Sequence, residues 1–381
     1  MAPKSILNIA EAKSIVDKKP RDKVNTIIVT GVTGQDGSLL VDYLLKNTDA
    51  IIFGGVRRLS VYNHTNISHI TSDRFHLVNF DLTDAHAISS IIEKLKPDYF
   101  INFAAQSFVA SSWDFSSQTW ETNSTAVMNI LESIRLYRPS CRFYNAGSSE
   151  EFGNVQYTPQ NEKHPLMPRS PYGASKAAAR QLVKVYRESY GLYAIQSWLF
   201  NHEGVRRGEE FVTRKISKGV AKIEHAIRND QPFYPIELGN VYAKRDWSDA
   251  EDFVECVWMM LNQDVYRKEY NNVENVKEYV LSSNESNTIK EFIENAFKVV
   301  GIEGGWHGEG ASEEYSITKP LVTRVRPKSS ILVKINPAFY RPAEVECLLG
   351  DSSLFRKDFN WTQKTNFNML VEKMVKNDII P

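Results

Sequence analysis

A chain of 381 residues is long enough to bury a large core and to divide into two lobes. Lysine plus arginine and aspartate plus glutamate both total 46, so the formal net charge is zero. That balance argues against a nucleic-acid or membrane-surface partner and leaves room only for a local basic pocket suited to phosphates. The three cysteines, Cys141, Cys256 and Cys347, lie far apart without CxxC spacing. Neither a metal site nor a disulfide framework is expected, and a reducing, cytoplasmic setting suits them. The N-terminus lacks the apolar run of a signal peptide, and no run of 18 apolar residues suggests a membrane span.

In chain order, residues 1–24 read as an N-terminal tail, with a short helix possible over Glu11–Asp17 before Lys18-Lys-Pro-Arg-Asp22. Thr26–Thr30 is a continuous β-branched and apolar run, the signature of a buried parallel strand. Glycines 31, 34 and 37 follow, then a helical pattern over Ser38–Lys46. Strands are expected over residues 50–54, 75–80, 99–103, 141–145 and 192–200, and helices over 85–95, 118–136 and 170–190. Ser170 can N-cap the last of these helices, with Pro171 at its first position. Such alternation predicts an α/β chain with a Rossmann-type, doubly wound parallel sheet over 25–200, to which segments near 238–265 return. Residues 201–381 read mainly as a smaller α/β substrate-binding lobe, with helices near 215–228, 249–263, 288–300 and 366–377 and a Gly-, Ser- and charge-rich loop over 301–331.

The run Gly31-Val-Thr33-Gly34-Gln35-Asp36-Gly37 joins a strand to a helix. Glycines there permit a tight turn and let backbone N–H groups approach a pyrophosphate at the helix N-terminus. The spacing is Gly-x2-Gly-x2-Gly rather than Gly-x-Gly-x2-Gly, so the strand–helix context carries the argument. Where an NAD site usually has an acidic residue, the second strand ends in Arg57-Arg58, which suits a 2′-phosphate and predicts NADP. Asp81-Leu82 after the third strand and Ala104-Ala105-Gln106-Ser107 after the fourth complete the expected cofactor cradle.

Tyr172 and Lys176 stand four apart on one predicted helix and share a face. A neighbouring ammonium favours phenolate, which makes Tyr172 a base for a sugar hydroxyl while hydride leaves the same carbon. Lys176 can also hold the nicotinamide ribose. Gly147-Ser148-Ser149-Glu150 ends the fifth strand, at the edge where open α/β sheets bind ligands. Ser148 can bond the reacting oxygen. A carboxylate two residues beyond that hydroxyl implies a second deprotonation after oxidation, and therefore elimination rather than plain redox. Glu151 follows, and either carboxylate could be the one turned inward.

These residues resemble the extended short-chain dehydrogenase/reductase superfamily and, more narrowly, the GDP-mannose 4,6-dehydratase family. The most specific segment is Asn201-His-Glu-Gly-Val-Arg-Arg-Gly-Glu-Glu-Phe-Val-Thr-Arg-Lys-Ile216, supported by Thr30–Ser38, Leu238-Gly-Asn240, Arg245-Asp-Trp247, Tyr340–Val345 and Leu349-Gly-Asp351. The resemblance implies a hydro-lyase of deoxyhexose biosynthesis that takes a GDP-sugar, uses NADP and assembles as a homodimer or homotetramer. By motif it implies Ser148, Glu150, Tyr172 and Lys176 as catalytic residues, and His202 and Arg207 as further NADP contacts. Asn201, Val212, Lys215, Leu238, Arg245, Arg341 and Glu344 would line the GDP-sugar pocket, together with Ser107, Ser148, Glu150 and Tyr172. The loop Arg57–Asn66 is expected to reach a neighbouring subunit's cofactor site.

This chain departs from the family pattern at four places. Ser148 replaces a threonine, Glu151-Phe152 a Leu-Tyr pair, Gln118 a tyrosine and Asn123 an aspartate. The rival readings are a dehydratase of another nucleotide sugar such as a GDP-heptose, a nucleotide-sugar epimerase or 4-ketoreductase, and a non-catalytic NADP-binding module. An epimerase or reductase would not need Glu150, and a sensing module typically loses the Tyr–Lys pair.

Overall fold

The computed structural model describes residues 4–18, 24–58, 63–264, 273–318, 330–340 and 347–379. Two compact units emerge. The first comprises residues 1–200, 250–281 and 351–362, and the second 201–249, 282–350 and 363–381.

The first unit is built on eight strands in the order Ile6–Leu7, Phe75–Asn79, Ile51–Val56, Thr26–Thr30, Tyr99–Asn102, Arg142–Ala146, Ala194–Leu199 and Val280–Leu281. Every neighbouring pair is parallel. Strands buried on both faces need apolar side chains pointing both ways, which is why Thr26–Thr30 and Ile51–Val56 are buried at every position. Ile27, Val29, Ile52, Ile101 and Ile195 pack on one face with helices Gln35–Asn47 and Ala250–Leu261. Ile28, Ile51, Phe53, Phe100, Phe143 and Ala194 pack on the other with helices Ala85–Leu95, Ala126–Tyr137 and Pro171–Tyr190.

Three expectations are corrected in this unit. Residues 6–17 are part of the sheet rather than a tail: Ile6 and Leu7 pair with Leu77 and Val78, and helix Ile9–Asp17 buries Ala12 and Val16. Asn8 and Glu11 form a capping box that starts this helix, a signal of Asn-x2-Glu that the charged surroundings obscure. The segment read as one helix over 118–136 is α-helical over Ser116–Trp120 and Ala126–Tyr137, with a π turn over Glu121–Thr125 between them. The segments that return to this unit are 250–281 and 351–362, not the region beginning at 238.

In the second unit, helices Val212–Arg228, Ile289–Val299 and Phe367–Asp378 enclose a core that includes Ile216, Val220, Trp247, Phe292, Phe297, Leu370 and Met374. The region read as loop over 301–331 is also corrected. Gly304–His307 and Glu314–Ile317 are antiparallel strands in a sheet completed by Ile331–Ile335 and Ile236–Leu238. Paired glycines and charged residues hid these short strands, whose stability comes from burial of Tyr315, Leu332 and Val333 rather than from local propensity. No helix among the described residues is long and apolar enough to cross a membrane.

Candidate active site

The Gly-rich turn follows Thr26–Thr30. Gly31 adopts φ +70°, and a Cβ there would lie 2.8 Å from the Ala104 nitrogen. A Cβ on Gly37 would lie 2.3 Å from the Gly31 carbonyl oxygen. Only glycine lets the turn fold this tightly against the helix that follows. Helix Gln35–Asn47 starts at Gly34, which offers no side-chain acceptor to the first-turn amides, while Thr33 and Gly34 are exposed. A helix N-terminus of this kind is electropositive and fits a pyrophosphate. Gln35 and Asp36 bond to each other at 3.1 Å in the first turn.

The rest of the expected cradle lies along the same carboxyl edge. Arg57 and Arg58 follow strand Ile51–Val56 and are exposed. Asp81 accepts from the Thr83 amide and hydroxyl at 2.9 and 2.8 Å, and Leu82 is buried. Ala104, Ala105, Gln106 and Ser107 form the loop after Tyr99–Asn102. The Ala104 amide donates to Thr30 Oγ1 at 3.2 Å. Asn123 is buried and clamps Gln106, accepting its amide hydrogen at 2.9 Å and donating to its carbonyl at 3.0 Å, and it also reaches Ser175 Oγ at 3.2 Å. Asn123 thus joins the Ala104–Ser107 loop to the helix carrying Tyr172, while Gln118 is exposed. The Asn66 side chain donates to the Thr33 carbonyl of its own chain at 2.9 Å. Residues 59–62 of the expected reaching loop lie outside the described residues.

Helix Pro171–Tyr190 starts as its sequence dictates, with the Ser170 hydroxyl accepting from the Gly173 amide and Pro171 in the first turn. Such a cap is worth about 1 kcal/mol. Tyr172 and Lys176 are both buried on one face, and the ammonium lies 5.9 Å from the phenol ring centroid. Lys176 Nζ donates to the Ala146 carbonyl at 2.8 Å, tying the helix to the end of strand Arg142–Ala146. Burial pushes this ammonium down to about 8, against the raising effect of the Glu151 and Asp36 carboxylates.

Ser148 and Glu150 sit in the turn after that strand. Ser148 Oγ accepts from the Glu150 amide at 3.2 Å, which leaves the hydroxyl hydrogen available to a donor role. The two neighbouring glutamates separate cleanly. Glu151 is fully buried, accepts the Ser148 amide at 2.8 Å and pairs with Arg180 at 2.5 Å. Glu150, by contrast, is only half-buried. A Cβ on Gly173 would lie 2.6 Å from the Glu150 carbonyl oxygen, so glycine at the helix start lets this turn approach Tyr172 closely.

A row of buried polar side chains at this edge escaped the sequence reading. Thr30, Asn102, Asn145 and Gln196 are opposite one another on four adjacent strands. Thr30 Oγ1 donates to Asn102 at 2.6 Å, Asn102 to Asn145 at 2.8 Å, Asn145 to Gln196 at 2.6 Å, and Gln196 to Glu151 at 3.0 Å. The available signal was a buried-strand amide or hydroxyl residue recurring on four strands: Thr30, Asn102 and Asn145 at or next to a strand end and Gln196 within one.

The other expected site residues belong to the second unit. Asn201 and His202 lie in a strand paired with Trp247 and Ser248. Arg207 pairs with buried Glu203 at 3.0 Å and stacks over Phe211. Val212 opens helix Val212–Arg228, one turn before Lys215, whose ammonium lies 4.1 Å from the Phe339 ring centroid and is lowered by burial. Leu238 is buried at the end of its strand, and Arg245 is buried with Nη1 donating to the Lys244 carbonyl. Arg341 and Glu344 lie outside the described residues.

A family model described as GDP-mannose 4,6 dehydratase matches residues 28–374. The chain belongs to the GDP-mannose 4,6-dehydratase family. It is 42% identical over 368 residues to a GDP-mannose 4,6 dehydratase of Drosophila melanogaster, covering 94% of this chain and 87% of that one. It is 36% identical over 370 residues to the Homo sapiens protein of the same name, covering 95% and 92% of the two chains. Among solved structures, a dTDP-glucose 4,6-dehydratase from Bacillus anthracis in complex with NAD shares the fold with a TM-score of 0.70 at 19% identity, covering 92% of this chain and 96% of that one. A Pseudomonas aeruginosa protein described as RMD and complexed with NADPH has a TM-score of 0.67 at 18% identity, covering 93% and 99%.

Proposed function

We propose that this protein is a GDP-mannose 4,6-dehydratase that uses NADP and converts GDP-mannose to GDP-4-keto-6-deoxymannose. Within this chain, the observation that supports elimination is the split between the two glutamates. Glu151 is sequestered in an ion pair, whereas Glu150 is only half-buried and donates its backbone amide to the Ser148 hydroxyl oxygen.

When bound, the nicotinamide would accept hydride from C4 of the sugar and return it at C6. Tyr172 removes the C4 hydroxyl proton, and the Lys176 ammonium stabilises the phenolate. Ser148 donates to the same sugar oxygen, since the Glu150 amide occupies its acceptor side. The C4 ketone acidifies the C5 hydrogen. Glu150 takes that proton and delivers it to the departing C6 hydroxyl, so the C6–O bond breaks and water leaves. A proton then returns to C5, and the dinucleotide ends in its starting redox state.

Arg57 and Arg58 support NADP over NAD, because guanidinium groups match a 2′-phosphate. In the second unit, Lys215 and Arg245 supply cationic groups of the kind a diphosphate needs. Self-association as a homo-oligomer and a cytoplasmic setting complete the reading, with Cys141 and Cys256 as buried free thiols.

The test is mass spectrometry of products from a panel of GDP-, dTDP- and UDP-sugars incubated with enzyme and NADP. GDP-mannose should lose the mass of one water with no stoichiometric consumption of dinucleotide. In the same assay Glu150→Gln should lower water loss by roughly a hundredfold or more. No water loss from GDP-mannose overturns the substrate, and full activity in Glu150→Gln overturns the acid–base role.

A further inference from the structure

Behind the Ser148–Glu150 turn lies an ion pair, Glu151–Arg180, that takes no part in the proton transfers; Arg180 also lies 3.5 Å from Glu278, which keeps Arg187 as a second partner at 3.2 Å. Glu151 is fully buried and Arg180 nearly so, and the guanidinium bonds the carboxylate through Nε at 2.5 Å and Nη2 at 3.3 Å. Arg180 Nη1 also donates to the Gln196 carbonyl at 2.6 Å, and the guanidinium lies 3.4 Å from the Trp198 ring centroid. The other side of the carboxylate accepts from the Ser148 amide at 2.8 Å and from Gln196 Nε2 at 3.0 Å.

Stability alone does not account for this arrangement. Burying two charges costs several kcal/mol per ion, and a well-packed apolar pair of similar volume is often neutral or stabilising by comparison. What an apolar pair cannot supply is an acceptor for the Ser148 amide. The chain also passes very close to the pair: a Cβ on Gly147 would lie 2.7 Å from Glu151 Oε1 and 2.9 Å from Arg180 Nη2. Gln196 extends the grip to the catalytic helix, since its amide donates to the Lys176 carbonyl at 2.9 Å. Through Asn145 and Asn102 it continues to Thr30, which receives the Ala104 amide of the cofactor loop. Ser148 lacks the γ-methyl that would restrict a threonine rotamer, so its hydroxyl depends on a fixed backbone.

We propose that Glu151 and Arg180 are positioning residues for the reaction, with the Arg180-anchored carboxylate of Glu151 holding the Ser148 amide so that the Ser148 hydroxyl and Glu150 keep their working geometry. This rests on the dehydratase reading for its kinetic consequence, but not for its structural one.

The test compares wild type with E151L/R180M, which removes both charges and the acceptor, and E151Q/R180M, which removes the charges but keeps an amide oxygen for the Ser148 N–H. For E151L/R180M, kcat should fall roughly tenfold or more with KM for GDP-mannose little changed, and the thermal midpoint should drop by several degrees because the buried Ser148 amide loses its acceptor. E151Q/R180M should recover most of that loss. Hydrogen–deuterium exchange of the peptide spanning residues 147–152 should rise in E151L/R180M and return toward wild type in E151Q/R180M. A purely structural pair would leave kcat intact in both folded double variants, and that result overturns the proposal. Equal exchange in all three proteins overturns it as well. Should wild type fail to dehydrate GDP-mannose, the dehydratase reading falls and the exchange pattern alone decides the positioning role.

Discussion

Lys176 couples the pH behaviour of stability to that of the reaction, in opposite directions. Its ammonium is buried and pushed down to about 8 from 10.5, chiefly by desolvation. A lysine whose folded pKa lies below its unfolded value leaves the native state with fewer bound protons between those two pH values. The cost of burying the charge is therefore fully present below about pH 8 and is relieved as pH rises toward 10.5, by about 3 kcal/mol at about 1.4 kcal/mol per unit. In the proposed mechanism the same deprotonation removes the charge that favours the Tyr172 phenolate. In a pH profile of the free enzyme, kcat/KM should fall above about pH 8, while Lys176 contributes no loss of thermal stability over that range. A profile flat to about pH 9 would count against the Tyr–Lys assignment. The i, i+4 spacing of Tyr172 and Lys176 was legible because a helix puts them on one face. Which glutamate is buried was not legible, because Glu150 and Glu151 differ only in what the fold places against them. Arg180, eight residues beyond Tyr172 on the same helix, takes Glu151 as its partner.

At the scale of elements, the strand ends carry the groups proposed to bind the cofactor. Strand Ile51–Val56 delivers Arg57 and Arg58, both exposed, past the edge where the Gly31–Gly37 turn opens helix Gln35–Asn47. Replacing both with alanine should raise KM for NADP by roughly tenfold or more, since each charge-assisted contact contributes about 1.5–3 kcal/mol. KM for NAD should be nearly unchanged. Parallel loss of both cofactors would instead mean that the arginines support the fold of the turn. Long apolar runs and strong caps made most strands and helices of the first unit readable. Gly304–His307 and Glu314–Ile317 were not readable, because these four-residue strands lack a run of strand-forming residues and take their conformation from pairing with each other and with Ile331–Ile335. The π turn at Glu121–Thr125 is likewise invisible to helical periodicity, although it lies beside Asn123's clamp on the cofactor loop.

For the molecule as a whole, the first seventeen residues matter more than their composition suggests. Ile6–Leu7 covers the edge of Phe75–Asn79, Lys4 donates to the Ser72 and Phe75 carbonyls, and Ala12 and Val16 join the core beside Ile88 and Ile92. Removing residues 1–17 should lower the thermal midpoint by several degrees and promote association through the uncovered strand edge, measured by calorimetry and light scattering. An unchanged midpoint would mean that the segment packs without contributing to stability. By itself, the sequence determined the doubly wound sheet, the Gly-rich turn, the Tyr–Lys pair and the family, because these rest on local period, capping chemistry and uninterrupted motifs. Tertiary structure alone decided that the N-terminal segment is an edge strand, that Glu151 is a buried partner of Arg180, and that a polar row joins Thr30 to the Ser148 turn. Each of these depends on groups far apart in the chain meeting in a dry interior, where hydrogen bonds and charges must find partners that no local pattern specifies.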